Sequence, residues 1–258
     1  MTWTKKVLLI LFVMLTISSI HQTAYALEDA LDDTGNLGIF LNNDEDAQPQ
    51  ATVDTVKLLV TLTILTLAPS FLILTTSFTR IIVVLSFLRS ALGTQQTPPN
   101  QLLIGLALFL TFFIMQPVYT QVMDDAITPY MNEEINQQEA MDKASVPMKE
   151  FMLKETREKD LALFLRASNS ENVEDPMDIP FTVVVPAFAI SELKTAFSIG
   201  FIIFIPFLVI DMIVSSILMS MGMFMLPPVM ISLPFKLLLF ILVDGWYLVV
   251  ESLLKSFQ

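Results

Sequence analysis

The residues whose types could do chemistry lie inside apolar stretches of the chain. Arg80 interrupts a long apolar segment in the first half, and a further set of charges interrupts the second half. That second set is Glu192, Lys194, Asp211, Lys236 and Asp244. At the centre of a lipid-exposed helix each charge would cost roughly 2.5–3.5 kcal/mol. These side chains must therefore face protein, water or one another.

Two interpretations of these charges stay open at the level of sequence. They can form internal ion pairs that hold one helical bundle together, or they can lie at subunit interfaces around a conduit. Pro186, Pro206 and Pro234 are expected to break the same helices. Broken backbone at membrane depth is tolerated only when it is buried in protein or lines a cavity. A monomer of four helices offers few such places, which favours an assembly.

Enzymatic chemistry finds little support in the residue types present. Asp211 and Asp244 suggest an intramembrane aspartyl protease dyad, but the Gly-x-Gly-Asp context of such proteases is absent around both residues. The chain has no cysteine, and His21 is the one histidine. The absence of cysteine excludes thiol nucleophiles. Because His21 lies in the segment argued below to be a cleaved signal peptide, the mature chain would have no histidine for His-dependent catalysis or the common zinc sites. We predict no enzyme activity, no cofactor and no metal.

Methionine is concentrated in one short part of the second apolar half. Six methionines fall within 212–230: Met212, Met219, Met221, Met223, Met225 and Met230. Ordinary apolar filling is one explanation. Because methionine is unbranched and adaptable, a ring of these side chains could also seal around an irregular passing chain. Phe224 lies between Met223 and Met225.

The elements that position these residues are long apolar segments. Of 258 residues 54% are hydrophobic and 16% charged, with a mean hydropathy of +0.66. Such a composition indicates a membrane protein. The four long apolar segments are 58–88, 102–123, 181–226 and 231–254. We predict an all-α, polytopic membrane fold of two helical hairpins, one over 55–123 and one over 181–258.

The first 54 residues contain two further predicted segments. Residues 1–26 have a basic start, an apolar run and an Ala-Tyr-Ala site, which are typical of a cleaved signal peptide. A retained first helix is the alternative, but the run is short for a ~30 Å hydrocarbon core. Residues 27–54 carry eight acidic residues and no basic one. They are expected to form a flexible acidic leader.

The acidic segment 124–180 is predicted to be a small helical insertion outside the cytoplasm. With the N-terminus outside, the loop near 89–100 faces inward and is flanked by arginines, as the positive-inside rule requires. Within the insertion a helix is expected to start at Pro147, and Glu155 is expected to pair with Lys159 four residues on. This piece is too small for a core of its own and should dock on a neighbour. The net charge is −12, which repels nucleic acid, and the sequence shows no basic patch that would bind it.

Several motifs, in order, resemble the FliP family, the flagellar branch of the export-gate proteins of type III secretion. They are TSFTRIIVVL (76–85), GTQQTPPNQ (93–101), PAF (186–188), SELKTAF (191–197), PFLVID (206–211), MGM (221–223), PP (227–228), LPFK (233–236) and DGW (244–246). The resemblance covers roughly residues 56–257. The segment 27–54 carries no matching motif.

This resemblance implies a function and a set of partners. Proteins of this family form a ring of about five copies with FliQ-like and FliR-like membrane proteins. The complex is a portal for unfolded flagellar subunits in the bacterial inner membrane, at the flagellar basal body. Other export apparatus proteins supply its energy, and lipid surrounds it. A methionine gasket closes the pore in relatives, and it maps here onto Met221, Met223, Phe224 and Met225.

Three other functions remain as alternatives. The injectisome counterpart of the family shares the fold, although the predicted signal peptide and leader favour the flagellar form by resemblance. An ion or solute transporter would use the intramembrane charges as a substrate path. An assembly scaffold without a pore would be insensitive to changes in the methionines.

Overall fold

The computed structural model of the chain describes residues 49–94, 97–168, 175–223 and 226–257. Within these residues the chain forms helices and connecting turns and contains no strand. The predicted all-α class is thereby confirmed for the described part of the chain.

Three groups of helices follow one another along the chain. The first group is α1 Pro49–Thr75, α2 Phe78–Leu92, α3 Asn100–Ile114, α4 Gln116–Val122, a π-helical turn Met123–Ile127 and the short α5 Thr128–Met131. The acidic segment contributes α6 Gln137–Glu155, α7 Glu158–Ala167 and a 3-10 turn, Pro176–Asp178. The last group is α8 Phe181–Ser220, α9 Pro228–Leu242 and α10 Gly245–Lys255.

The chain divides into two compact units, Met1–Ile64 and Leu65–Gln258. Of the first unit the structure describes residues 49–64, which are helical. The side chains at 59–64 are exposed. The second unit contains all the helices that position the charged residues and the methionine turn.

Most of the predicted N-terminal segments lie outside the residues that the structure describes. Residues 1–26, expected to be a signal peptide, lie outside the described residues. So does most of the expected leader, 27–54. Helix α1 begins at Pro49, so the last residues of the expected leader are helical rather than irregular.

Among the described residues, α8 is the one helix that is long and apolar enough to cross a membrane unaided. Three pairs of helices pass the same test only when taken together, and each pair is bent at a short break. Leu59–Thr75 joins Phe78–Leu92, Asn100–Ile114 joins Gln116–Met131 at 57°, and Pro228–Leu242 joins Gly245–Lys255 at 63°. The four apolar segments thus correspond to one continuous helix and three bent pairs of helices. The number of membrane crossings remains a prediction.

The prolines expected to break the second-half helices do not break them. Pro186 and Pro206 lie inside the continuous helix α8, and Pro234 lies inside α9. Each proline removes one backbone hydrogen bond, but packing of α8 against neighbouring helices holds the helix together across the gap. The observed bends lie elsewhere, for example at Asp244, whose φ of 50° and ψ of 56° leave the helical region.

The main core lies where α2 packs against α8. Ile81, Val84 and Leu85 on α2 are fully buried, and they belong to one apolar cluster with Ala196 and Phe207 of α8. Burial of such side chains is the main favourable term holding the helices together.

The acidic insertion docks on its own chain through a second cluster. Met152 of α6 is fully buried with Val184 and Phe188 of α8. The single helix expected to begin at Pro147 is instead two helices, since Pro147 is interior to α6 and the chain breaks at Thr156 and Arg157. The break allows both α6 and α7 to pack on α8.

Candidate functional site: two buried ion-pair centres and a methionine turn

The first buried centre is built around Arg80, near the start of α2. Its side chain is 2% exposed, and that of Glu192 on α8 is 0% exposed. Arg80 Nε donates to Glu192 Oε2 at 2.9 Å, and Nη2 donates to the other oxygen of the same carboxylate. The guanidinium and carboxylate therefore meet side by side through two hydrogen bonds, which is the strongest geometry for this pair.

Two further elements complete the contacts of the Arg80 guanidinium. Nη2 also donates to Glu155 Oε2, at the end of α6, at 2.8 Å. Nη1 donates to the backbone carbonyl of Ser256 at 2.7 Å and to its Oγ at 3.1 Å. The ring of Phe257 lies over the guanidinium, 3.7 Å from Cζ to the ring centroid. One buried cation thus ties together α2, α6, α8 and the residues after α10.

A second set of polar contacts holds the insertion against α8 at Ser191, the residue before Glu192. Ser191 Oγ donates to Asp160 Oδ2 at 2.8 Å and accepts from the backbone N–H of Arg157 at 3.1 Å. Arg157 Nη2 donates to the Ser191 carbonyl at 3.3 Å. The break between α6 and α7 is therefore held against α8 by hydrogen bonds that satisfy its backbone.

The second buried centre lies around Lys236 on α9. Its side chain is 3% exposed, and Nζ donates to Asp211 Oδ2 on α8 at 2.6 Å. Nζ also donates to the carbonyl of Ala91 near the end of α2, at 3.2 Å. Ser232 Oγ donates to the other carboxylate oxygen of Asp211 at 2.5 Å. This centre joins α2, α8 and α9 as the first joins α2, α6 and α8.

The structure therefore places four of the six predicted charges in ion pairs within one chain. Arg80 pairs with Glu192, and Asp211 pairs with Lys236. Lys194 and Asp244 are exposed, and neither has an ion-pair partner in the described part of the chain. The pair expected between Glu155 and Lys159 is wrong, because Glu155 reaches Arg80 instead.

The geometry gives no support to a catalytic carboxylate pair. Asp211 accepts hydrogen bonds from Lys236 and Ser232, whereas Asp244 makes no side-chain capping bond and is exposed. A dyad of the aspartic protease kind needs two carboxylates close enough to share one proton. Within the described residues no group of three or more His, Cys, Asp and Glu side chains could hold a metal ion.

The methionine turn joins α8 to α9 and has a well-defined backbone. Gly222 has φ +76°, its N–H donates to the carbonyl of Met219, and the N–H of Met223 donates to that of Leu218. These two bonds form a Schellman motif, which needs a residue in the left-handed region and so favours glycine.

The methionine side chains of this turn point outward. Met219 is 56% exposed, Met221 67% and Met223 40%. Phe224 and Met225, the other predicted gasket residues, lie outside the described residues. The described methionines of the turn are therefore not packing inside their own protomer.

Comparison with known proteins decides the family. The model of the FliP family matches residues 61–253. The chain belongs to the FliP family. The resemblance expected from the ordered motifs is thereby confirmed.

Curated FliP proteins match over most of the chain. The flagellar biosynthetic protein FliP of Bacillus subtilis (strain 168) is 62% identical over 218 residues, which cover 84% of this chain and 99% of that protein. The FliP of Pectobacterium carotovorum subsp. carotovorum is 55% identical, covering 78% of both chains. The FliP of Borreliella burgdorferi is 45% identical, covering 93% of this chain and 96% of the relative.

Proposed function

We propose that this chain is a core subunit of the flagellar type III protein export gate in the bacterial inner membrane. Membership of the FliP family supports the flagellar role, since the matching relatives are flagellar biosynthetic proteins. In the proposal about five copies form a ring with FliQ-like and FliR-like membrane proteins. Unfolded flagellar subunits cross through the ring, and other apparatus proteins drive the transport.

The observation that carries the proposal is the outward-facing methionine turn. A closed Schellman motif fixes the backbone, while the side chains of Met219, Met221 and Met223 remain substantially exposed. A rigid turn that carries soft, unbranched side chains suits a seal, because each side chain adapts to its neighbours while the backbone stays in place. In a ring, copies of this turn would meet around the axis and close the pore between substrates.

The positions of the two buried centres support the proposed topology of two hairpins. Arg80, near the start of α2, contacts Glu155 of the insertion and Ser256. Ala91, near the other end of α2, contacts Lys236 on α9, the helix that follows the methionine turn. The insertion and the turn are thus associated with opposite ends of α2. This arrangement agrees with a periplasmic 124–180 insertion and N-terminus, and with a cytoplasmic 89–100 loop.

The seal is tested by replacing Met223, Phe224 and Met225 together with alanine. Loss of three large side chains opens the constriction, so we expect the membrane to become permeable to ions and small solutes. The measurement is solute leakage in cells that carry the complex, alongside secretion of flagellar subunits. Native mass spectrometry of the extracted complex should show unchanged assembly.

The matched control replaces two exposed methionines away from the turn, Met131 and Met141, which are 75% and 61% exposed. This double change should leave permeability as in the unmodified protein. A triple variant that assembles normally and does not leak would contradict a seal at this turn, and would favour a scaffold without a pore.

A further inference from the structure

Two charged side chains on helices α8 to α10 have no ion-pair partner among the residues that the structure describes. Lys194 lies on α8, and Asp244 lies at the bend between α9 and α10. Both are exposed. The other charged residues of these three helices form ion pairs within the chain: Glu192 with Arg80, Asp211 with Lys236, and Glu251 with Lys255.

Lys194 lies on an otherwise apolar face of α8. It lies two positions after Glu192, which faces Arg80 and α2, so its direction differs by ~200° around the helix. Exposed apolar side chains recur on the face of Lys194 at spacings of three and four residues. This face, here named the Lys194 stripe, comprises Ile190, Lys194, Phe197, Phe201, Ile205, Leu208 and Met212.

Asp244 adopts a left-handed backbone conformation at the bend that leads from α9 into α10. Its φ of 50° and ψ of 56° are left-handed, and as the N-cap of α10 it makes no side-chain capping bond. Exposed apolar residues flank it in sequence at the end of α9 and the start of α10, and we name them the Asp244 face: Leu238, Ile241, Leu242, Val243, Tyr247 and Leu248.

The two faces are complementary in charge and in polarity. Each is apolar and carries one unpaired charge, and the two charges are opposite. In a cyclic ring one face of each copy meets a different face of the next copy, so a closed ring matches every Lys194 with an Asp244. A second copy of this chain presents both faces, so one repeated contact pairs both charges. The occupant that satisfies both is a second copy of this chain.

We infer that Lys194 of one copy pairs with Asp244 of the next copy, within an apolar contact between the Lys194 stripe and the Asp244 face. This inference rests on the proposed ring and identifies the contact that closes it. Desolvation by the surrounding apolar side chains strengthens the attraction between the charges and penalises a mismatch.

Charge reversal tests the pair in the full chain, co-expressed with its FliQ-like and FliR-like partners. Lys194→Asp alone and Asp244→Lys alone should each lower the yield of ring about tenfold or more, because like charges then meet in an apolar contact. The double variant Lys194→Asp/Asp244→Lys should restore most of that yield. Glu139→Lys on the exposed Glu139–Lys143 pair of α6 is the matched control and should not change it.

A second measurement does not depend on the reversed variants folding. The chain has no cysteine, so Lys194→Cys and Asp244→Cys can be introduced in separate copies with different tags. A short thiol–thiol cross-linker should give a product that carries both tags. Replacing the Asp244→Cys copy by a Lys143→Cys copy should give none.

The outcomes separate this inference from the proposed function. If the unmodified chain forms the ring but no doubly tagged product appears, or the double reversal is as defective as the single ones, the inference is wrong and the ring stands. If the unmodified chain stays monomeric with its partners present, both the proposed function and the inference fail.

Discussion

At the scale of single residues, Arg80 shows why a guanidinium is needed rather than any cation. Each of its three nitrogens donates at least one hydrogen bond, to Glu192, Glu155 or Ser256. A planar fork with several donors can satisfy partners on three sides while its face stacks on Phe257. An ammonium group has three donors on a flexible stem and cannot reproduce this arrangement.

Arg80→Lys should therefore destabilise the protomer although it keeps the charge. We expect a loss of roughly 1–3 kcal/mol in the free energy of unfolding, because the paired bonds to Glu192 and the contact to Ser256 cannot all be remade. Arg80→Met should lose more, about 3–5 kcal/mol, because two buried carboxylates are left without their cation. The measurement is denaturant unfolding of the purified protein in detergent.

The exposed Arg166 on α7 provides the control for the Arg80 substitutions. Arg166→Lys should leave stability unchanged, since exposed charges contribute little. If Arg80→Lys also left the free energy of unfolding unchanged, the hydrogen bonds to Glu192, Glu155 and Ser256 would not be stabilising the packing of the helices.

At the scale of elements, α8 organises the second unit. Its forty residues extend about 60 Å, twice a ~30 Å hydrocarbon core. It carries one member of each buried ion pair, Glu192 and Asp211, about 28 Å apart along the helix. Helices α2, α6, α7 and α9 all pack on it. The length of the continuous helix α8 thus sets the distance between the insertion and the methionine turn.

Helix α2 approaches α8 closely at Gly200. A Cβ added there would lie 2.6 Å from Cγ and 2.9 Å from Cβ of Phe87. Gly200→Ala should therefore force the two helices apart and cost about 1–3 kcal/mol of stability. Gly105→Ala on α3 is the control, since a Cβ there meets nothing within 4 Å. That change should stabilise the helix by about 0.5–1 kcal/mol.

Thermal unfolding of the two glycine variants in the same detergent provides the comparison. A Gly200→Ala protein as stable as the Gly105→Ala protein would mean that α2 and α8 do not approach as closely as described.

The elements were predictable from the sequence to different degrees. Hydrophobic segments of about the right length are local signals, so the four apolar segments followed from composition. The continuity of α8 through Pro186 and Pro206 could not be predicted, because tertiary packing overrides the local preference of proline. The break at Thr156 and Arg157 is likewise set by contacts with Ser191, which local sequence does not reveal.

The site was also only partly predictable. The cost of burying charge showed that Arg80, Glu192, Asp211 and Lys236 needed partners, but not which ones. Glu155 was assigned to a partner four residues away, whereas its actual partner is 75 residues away in sequence. Hydrogen-bond partners at such separations depend on how the helices assemble, and periodicity carries no information about that.

At the scale of the whole molecule, the protomer leaves much of its apolar surface uncovered. Large side chains on α3, α8 and α9 are more than half exposed, including Phe113, Phe201 and Ile241. Monomeric soluble proteins rarely expose contiguous apolar patches of more than a few hundred Å², so this surface indicates lipid or protein neighbours. The two buried ion pairs are complete within one chain and need no neighbour. The methionine turn, Lys194 and Asp244 have no described partners and are the features that an assembly would use.

The most direct test of the account is the native mass of this protein after gentle detergent extraction, when it is co-expressed with its FliQ-like and FliR-like partners. We predict a single complex that contains about five copies of this chain together with both partners. A stable monomer or dimer without partners would contradict the export-gate assignment. The exposed methionines and the two unpaired charges would then have to be explained by lipid or by solute transport.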